Sequence, residues 1–416
     1  MASRAEGLVE DLGVVYLHVL LPDDLAARLP SVSDNWGGFL GDDEDDEDDA
    51  RERHARAGGA RDPARRANTA VGRDRLVEDF IALIEPGARE TLYFLHVLLP
   101  HRPWTYLPSG KDYGNTNVRT FGQTRRGFWT RDEDLLRQAY QRYLLQLRFV
   151  DRLLGRLLDR LEATRLDRTA LLVVCADHGL GFTPGGAPRG VQEANVHELA
   201  PVPLFIKRPG QWRGRVVERN VETVDVLPAI ADALQIRIPW KIDGTSAFDS
   251  GLDRRRLRFS GVDPVAAGEL ERRKHALVEE RVDVFGTGAD RLRLFRIGPF
   301  GDLVGRRVAD LPTSDAGAGV AAIDERDRFA SVDKSSGFLP AYVTGRLEDG
   351  RPGTYLVLAL NGRVGAVVRA FELAGETRFA AMLPEELFRA GANEVEIFAL
   401  DGPPAAPALA RLADGP

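Results

Sequence analysis

From Asp132 to Ala163 the sequence holds one helical period throughout, and the apolar run that follows breaks it. Tyr140, Tyr143, Leu144, Leu147, Val150, Leu154, Leu157, Leu158 and Leu161 recur at steps of three and four, with Arg, Gln and Asp between them. That spacing predicts an amphipathic helix with its apolar stripe inward and its polar face outward. Next, "TALLVVCADHG" reads as a buried strand, "APVPLFIKRPG" as a shorter one, and "VETVDVLPAIADALQI" as a helix opening near Thr223. Upstream, Arg73 to Ile84 reads as a helix leading into a strand over Glu90 to Leu99, and Gly13 to Leu21 as a further strand. This alternation predicts an α/β domain, with a mostly parallel sheet flanked by helices, over residues 1–250. "YLHVLLP" at Tyr16 and "FLHVLLP" at Phe94 nearly repeat, but their flanks do not match. They read as two central strands of one sheet.

Past Phe248 the texture changes. Residues 251–336 read as a mixed connecting region, with short strands over Arg254 to Phe259 and Val282 to Phe300. From residue 337 to 401 apolar runs alternate with turns, and Asn361-Gly362 between two such runs signals a tight hairpin. The expectation is a small antiparallel β-sandwich. Residues 402–416, rich in Pro and Ala, read as a loose tail.

Composition narrows the function classes. The chain has 416 residues, 44% apolar, enough for more than one domain and a large core. A formal net charge of -7 argues against nucleic-acid binding by the chain as a whole. Eight consecutive acids, Asp42 to Asp49, open a stretch without apolar period, and residues 41–67 read as disordered. Cys175 is the single cysteine, so no intramolecular disulfide can form, and it reads as buried in its strand. No apolar run approaches the roughly 18 residues of a membrane span, and the N-terminus has no signal core. Localisation is left open.

The chemistry concentrates where strands end. "LLVVCADHGLGF" places Asp177 and His178 at a strand terminus, where Gly179 permits the chain to break direction. A carboxylate beside an imidazole suits a divalent cation; the plainer alternative is an Asp capping a turn beside a surface His. His101 follows the strand in "LLPHRPW", and His197 precedes one in "NVHELAPVPLF". Open α/β sheets form their sites in such loops.

"VVCADHGLGF", "VHELAPVPLFIKRPGQ" and "VETVDVLPAIADALQIRIPWKIDGTS", with "FLHVLLPHRPWTYLPSG" before them, resemble the distal half of the sulfatase and alkaline-phosphatase superfamily over about Leu12 to Ser246. The resemblance implies an alkaline-phosphatase-like fold, a divalent metal (Mn, Ca, Mg or Zn) held by Asp177 and His178, and substrate contacts from His101 and His197. It implies a sulfate or phosphate ester of a small molecule, glycan or lipid as substrate. The superfamily also opens with an acidic strand end leading to a Ser, Thr or modified Cys nucleophile. No such unit is found here: Ser31, Ser33 and Thr69 lack the acidic strand end, and Cys175 lies outside any Cys-x-Pro-x-Arg motif. Three explanations stay open: the distal part of a longer protein, whose relatives carry membrane helices upstream; a wrongly chosen start codon; or a non-catalytic relic that keeps the fold for binding. The leading reading is a metal-dependent hydrolase or transferase acting on a sulfate or phosphate ester, incomplete in its nucleophile unit, with activity of this chain left open. The alternative is a non-catalytic binding or scaffold protein on the same fold.

Overall fold

The computed structural model describes residues 72–87, 90–114, 121–124, 127–259, 262–288, 290–314, 319–348 and 350–415. The strand expected over Gly13 to Leu21 and the disorder expected over 41–67 lie outside them. The account below concerns the compact unit Asp74–Pro416.

Helix α1 (Arg73–Leu83) precedes an extended segment, and α2 (Glu133–Ala163) is the long helix the period predicts. Asp132 caps α2 by accepting from the amides of Asp134 and Leu135 at 3.0 and 3.1 Å. The inward stripe of α2 is rotated from the expected one. Leu135, Leu145, Phe149 and Leu153 are buried, while Leu147 and Leu158 stay exposed. Polar residues expected outside are buried with them: Gln138, Gln141, Arg142 and Gln146. The reason is backbone left unsatisfied by neighbouring loops. Gln146 accepts from Thr105 N–H at 3.0 Å and donates to His101 C=O at 3.0 Å. Arg142 donates to Trp104 C=O and to the Tyr113 hydroxyl, its guanidinium 4.4 Å from the centre of the Tyr342 ring.

After the one-turn α3 (Leu166–Thr169), strand β1 (Leu172–Cys175) pairs with β2 (Leu204–Lys207). The pairing is antiparallel, not the parallel arrangement predicted. The chain between them folds back, through the one-turn α4 (Val196–Leu199), and re-enters at the end it left: Gly179 N–H donates to Leu199 C=O at 2.8 Å and Ala176 N–H to Pro203 C=O at 3.4 Å. Thr91 to Leu99 forms no strand, and Leu92 and Phe94 are 87% and 79% exposed. Cys175 is exposed rather than buried.

Helix α5 (Val226–Ala233) is entered through a 3-10 turn. Glu222 and Asp225 form a reciprocal capping box there, and the fully buried Asp225 also receives both terminal nitrogens of Arg254. The hairpin β3 (Arg256–Phe259) and β4 (Val262–Ala266) leads into α6 (Ala267–Phe285). Much of the Val282 to Phe300 stretch expected as strand is therefore helix and 3-10 turn. Within that stretch Phe285 closes α6, whose buried positions are Leu270 and Phe285.

Two sheets follow, antiparallel except at the last strand. One is ordered β13-β5-β6-β10-β9 and the other β12-β11-β7-β8, with β5 Val320–Ile323, β6 Tyr342–Glu348, β7 Tyr355–Leu360, β8 Arg363–Arg369, β9 Phe371–Leu373, β10 Glu376–Met382, β11 Val395–Asp401, β12 Ala408–Arg411 and β13 Ala413–Asp414. The β7–β8 hairpin turns on Asn361 and Gly362, both at positive φ (54° and 76°), the two-residue turn that Asn-Gly favours. Leu356 to Leu360 are fully buried on both faces of β7, with Phe295, Phe300 and Leu303 in the same cluster. The tail is not loose: β12 pairs with β11, and β13 runs parallel to β5. Buried Leu409 and Leu412 anchor it.

Candidate functional site

β1 ends at Cys175, and Asp177 turns the chain by accepting from the His178 amide at 2.8 Å. The second carboxylate oxygen then faces the His178 ring, 3.7 Å from Nε2. Both side chains reach solvent, Asp177 at 68% and His178 at 39%. Nδ1 of His178 lies 2.7 Å from Gly179 C=O, and a carbonyl only accepts, so the proton sits on Nδ1. Nε2 carries the lone pair and accepts from Arg189 Nη2 at 3.0 Å. Gly179 is needed at this turn: a Cβ there would meet Glu198 C=O at 2.2 Å.

Three loops converge on Phe182. Its ring is stacked against Trp104 (5.8 Å between centroids) and Trp129 (5.2 Å). Its amide donates to the Glu198 carboxylate, whose other oxygen accepts from Thr183 Oγ1 at 2.9 Å. Trp104 ends the loop that holds His101, and Glu198 neighbours His197 on α4. The loops expected to build a site are thus joined through Phe182. The imidazoles are partnered separately.

His101 Nδ1 is 2.6 Å from Arg102 C=O, which puts its proton on Nδ1. His197 is the opposite case. Arg273 on α6 offers only donors, and its Nη2 lies 3.1 Å from His197 Nδ1. The neutral ring therefore protonates at Nε2. Burial and the Arg273 guanidinium hold this imidazole below its usual 6.5, Arg281 adds to the effect and Glu198 opposes it.

Sequence reasoning missed Arg189, Glu198, Arg273 and the buried Asn195, which fixes the loop carrying Arg189 through Ala187 and Gly190 C=O at 3.0 and 2.9 Å. Asn195 and Glu198 flank His197 in "ANVHEL", so polar residues beside a candidate His were the available signal. Arg189 and Arg273 had none.

The donor chemistry of Asp177 and His178 fits part of a divalent-cation site: a carboxylate beside an imidazole lone pair, with the other ring nitrogen tied to a backbone carbonyl. Among the described residues no group of three His, Cys, Asp or Glu could hold an ion.

The sulfatase family's sequence profile matches residues 41–236, a span that contains all four candidate residues. That stretch of the chain is similar to the sulfatase family. Over 176 residues it is also 27% identical to an ulvan-active sulfatase of Formosa agariphila, an alignment covering 41% of this chain. The aligned part spans about a third (34%) of that relative. The sulfatase-like segment thus includes the β1–β2 ribbon, α2 and α4, and ends after α5. No described helix is long and apolar enough to cross a membrane.

Proposed function

We propose that the sulfatase-like segment serves a metal-dependent hydrolase or transferase acting on a sulfate or phosphate ester. One observation carries the reading: within a sulfatase-family match, a strand end presents an Asp177 carboxylate beside a His178 Nε2 lone pair. Those two residues would hold the ion, which as a Lewis acid supplies charge stabilisation at the ester oxygens.

The remaining roles follow from proton positions. His197, with its proton on Nε2, is a hydrogen-bond donor to the departing oxygen as charge develops there. His101, protonated on Nδ1, donates from Nε2 only as the imidazolium. The two histidines are therefore not equivalent: His197 stabilises an oxyanion while neutral, and His101 does so only when charged. Arg189, next to His178, is placed to meet the anionic group of the ester once it moves off Nε2.

The test is hydrolysis of 4-nitrophenyl sulfate and 4-nitrophenyl phosphate by the 416-residue chain with Mn added. Turnover of either ester that disappears in Asp177→Asn supports the reading. Absence of turnover, or turnover retained in that variant, sinks it and favours a binding protein built on the same fold.

A further inference from the structure

A second surface lies at the far end of the β1–β2 ribbon. Lys207 is paired with Leu172, whereas Leu204 is paired with Cys175 beside the candidate site. The ribbon separates the two by about 10 Å at the ordinary strand rise. Directly after Lys207 the chain makes a loop, Arg208 to Arg213. It is fixed by Gly210 N–H on Arg168 C=O at 2.7 Å, Arg208 N–H on Gln211 Oε1 at 3.1 Å and Gln211 Nε2 on Arg213 C=O at 3.0 Å. This loop, Asp232 and Gln235 at the end of α5, and Phe248 border an open surface cleft of about 490 Å³. Small-ligand clefts fall in the same size range.

The cleft's lining is chemically specific. Trp212 is 81% exposed, an unusual place for the largest apolar side chain. The Arg213 guanidinium lies over its ring at 4.5 Å, and that of Arg208 over Phe248 at 4.9 Å. A guanidinium resting over a ring keeps N–H groups that can meet an anion. Neither arginine has an ion-pair partner among the described residues. The lining therefore sets two cations against one carboxylate, Asp232, which accepts from Ser246 Oγ at 2.8 Å. Gln235 and Asp232 offer hydrogen bonds suited to hydroxyls rather than to an acyl chain.

We propose that this cleft binds an anionic sugar residue, its ring against the Trp212 face that Arg213 leaves open and its sulfate or carboxylate on Arg208 and Arg213. The surface is separate from Asp177 and His178, so it does not rest on ester cleavage. A polymeric glycan held here would keep the chain on its surface whatever happens at the other end of the ribbon.

The experiment is calorimetry of the 416-residue chain with a sulfated galactan tetrasaccharide and its desulfated counterpart, with phosphatidylglycerol vesicles as a third probe. The sulfated sugar should bind at least about tenfold tighter than the desulfated one, and Trp212→Ala, Arg208→Gln and Arg213→Gln should each weaken it about fivefold or more. All three side chains are exposed, so thermal unfolding should be unchanged, and Asp177→Asn should bind like the parent. Equal affinity for the two sugars overturns the proposal. So does equal affinity across the variants, or binding of the vesicles without the sugar.

Discussion

Arg189 and His178 share a hydrogen bond, Nη2 to Nε2 at 3.0 Å, so the lone pair a cation would use is held by another cation. Ligation requires the guanidinium to leave, and its charge opposes a divalent ion at this range. Arg189→Ala should therefore bind Mn about three- to tenfold more tightly, read by calorimetry, because it removes both the competitor and the repulsion. Unchanged affinity would mean that Nε2 is not a ligand.

Glu198 tests how the loops are held together. Its carboxylate accepts from the Phe182 amide and the Thr183 hydroxyl. Glu198→Ala leaves both without that acceptor and should cost about 1–3 kcal/mol of stability. Amide exchange at Phe182 should speed up well before exchange in β7. Exchange that accelerates equally in both places would assign Glu198 a global role instead.

His197 carries a pH signature. Its imidazole titrates below the ordinary 6.5, because of burial and Arg273. As pH falls, the unfolded chain takes up this proton first, so stability is full above 6.5 and declines below it. Between about pH 7 and pH 5 the parent should lose more thermal stability than His197→Gln, in which this ionisation is gone. Parallel slopes for the two proteins would contradict the assignment.

Asp225 belongs to the scaffold. It is fully buried, receives the Thr245 and Glu222 amides at 2.8 Å each, and is paired with Arg254. Removing one partner of such a pair strands the other, so Asp225→Ala should destabilise by about 3 kcal/mol or more in chemical denaturation. A loss below about 1 kcal/mol would show the pair to be dispensable.

The sequence was most legible where period and turn chemistry agree. The α2 helix appears within a residue of its expected start because Asp132 caps a long amphipathic period. The β7–β8 hairpin sits on Asn361-Gly362 because few other pairs tolerate two positive φ angles. Apolar runs alone misled. Glu90 to Leu99 reads as a central strand yet leaves Leu92 and Phe94 exposed, since a short run does not say what will pair with it. Gln146 and Arg142 look like surface residues until the Thr105 amide and the Trp104 carbonyl are placed beside them. The same limit applies to the candidate site: Asp177 and His178 are adjacent in sequence, but the arginines on His178 and His197 come from residues 11 and 76 positions away.

The central claim concerns two donors at one strand end, and Mn titration of the 416-residue chain beside His178→Ala measures it most directly. The account predicts one saturable site in the parent that the substitution abolishes or weakens at least about tenfold. Identical isotherms for the two proteins would contradict it.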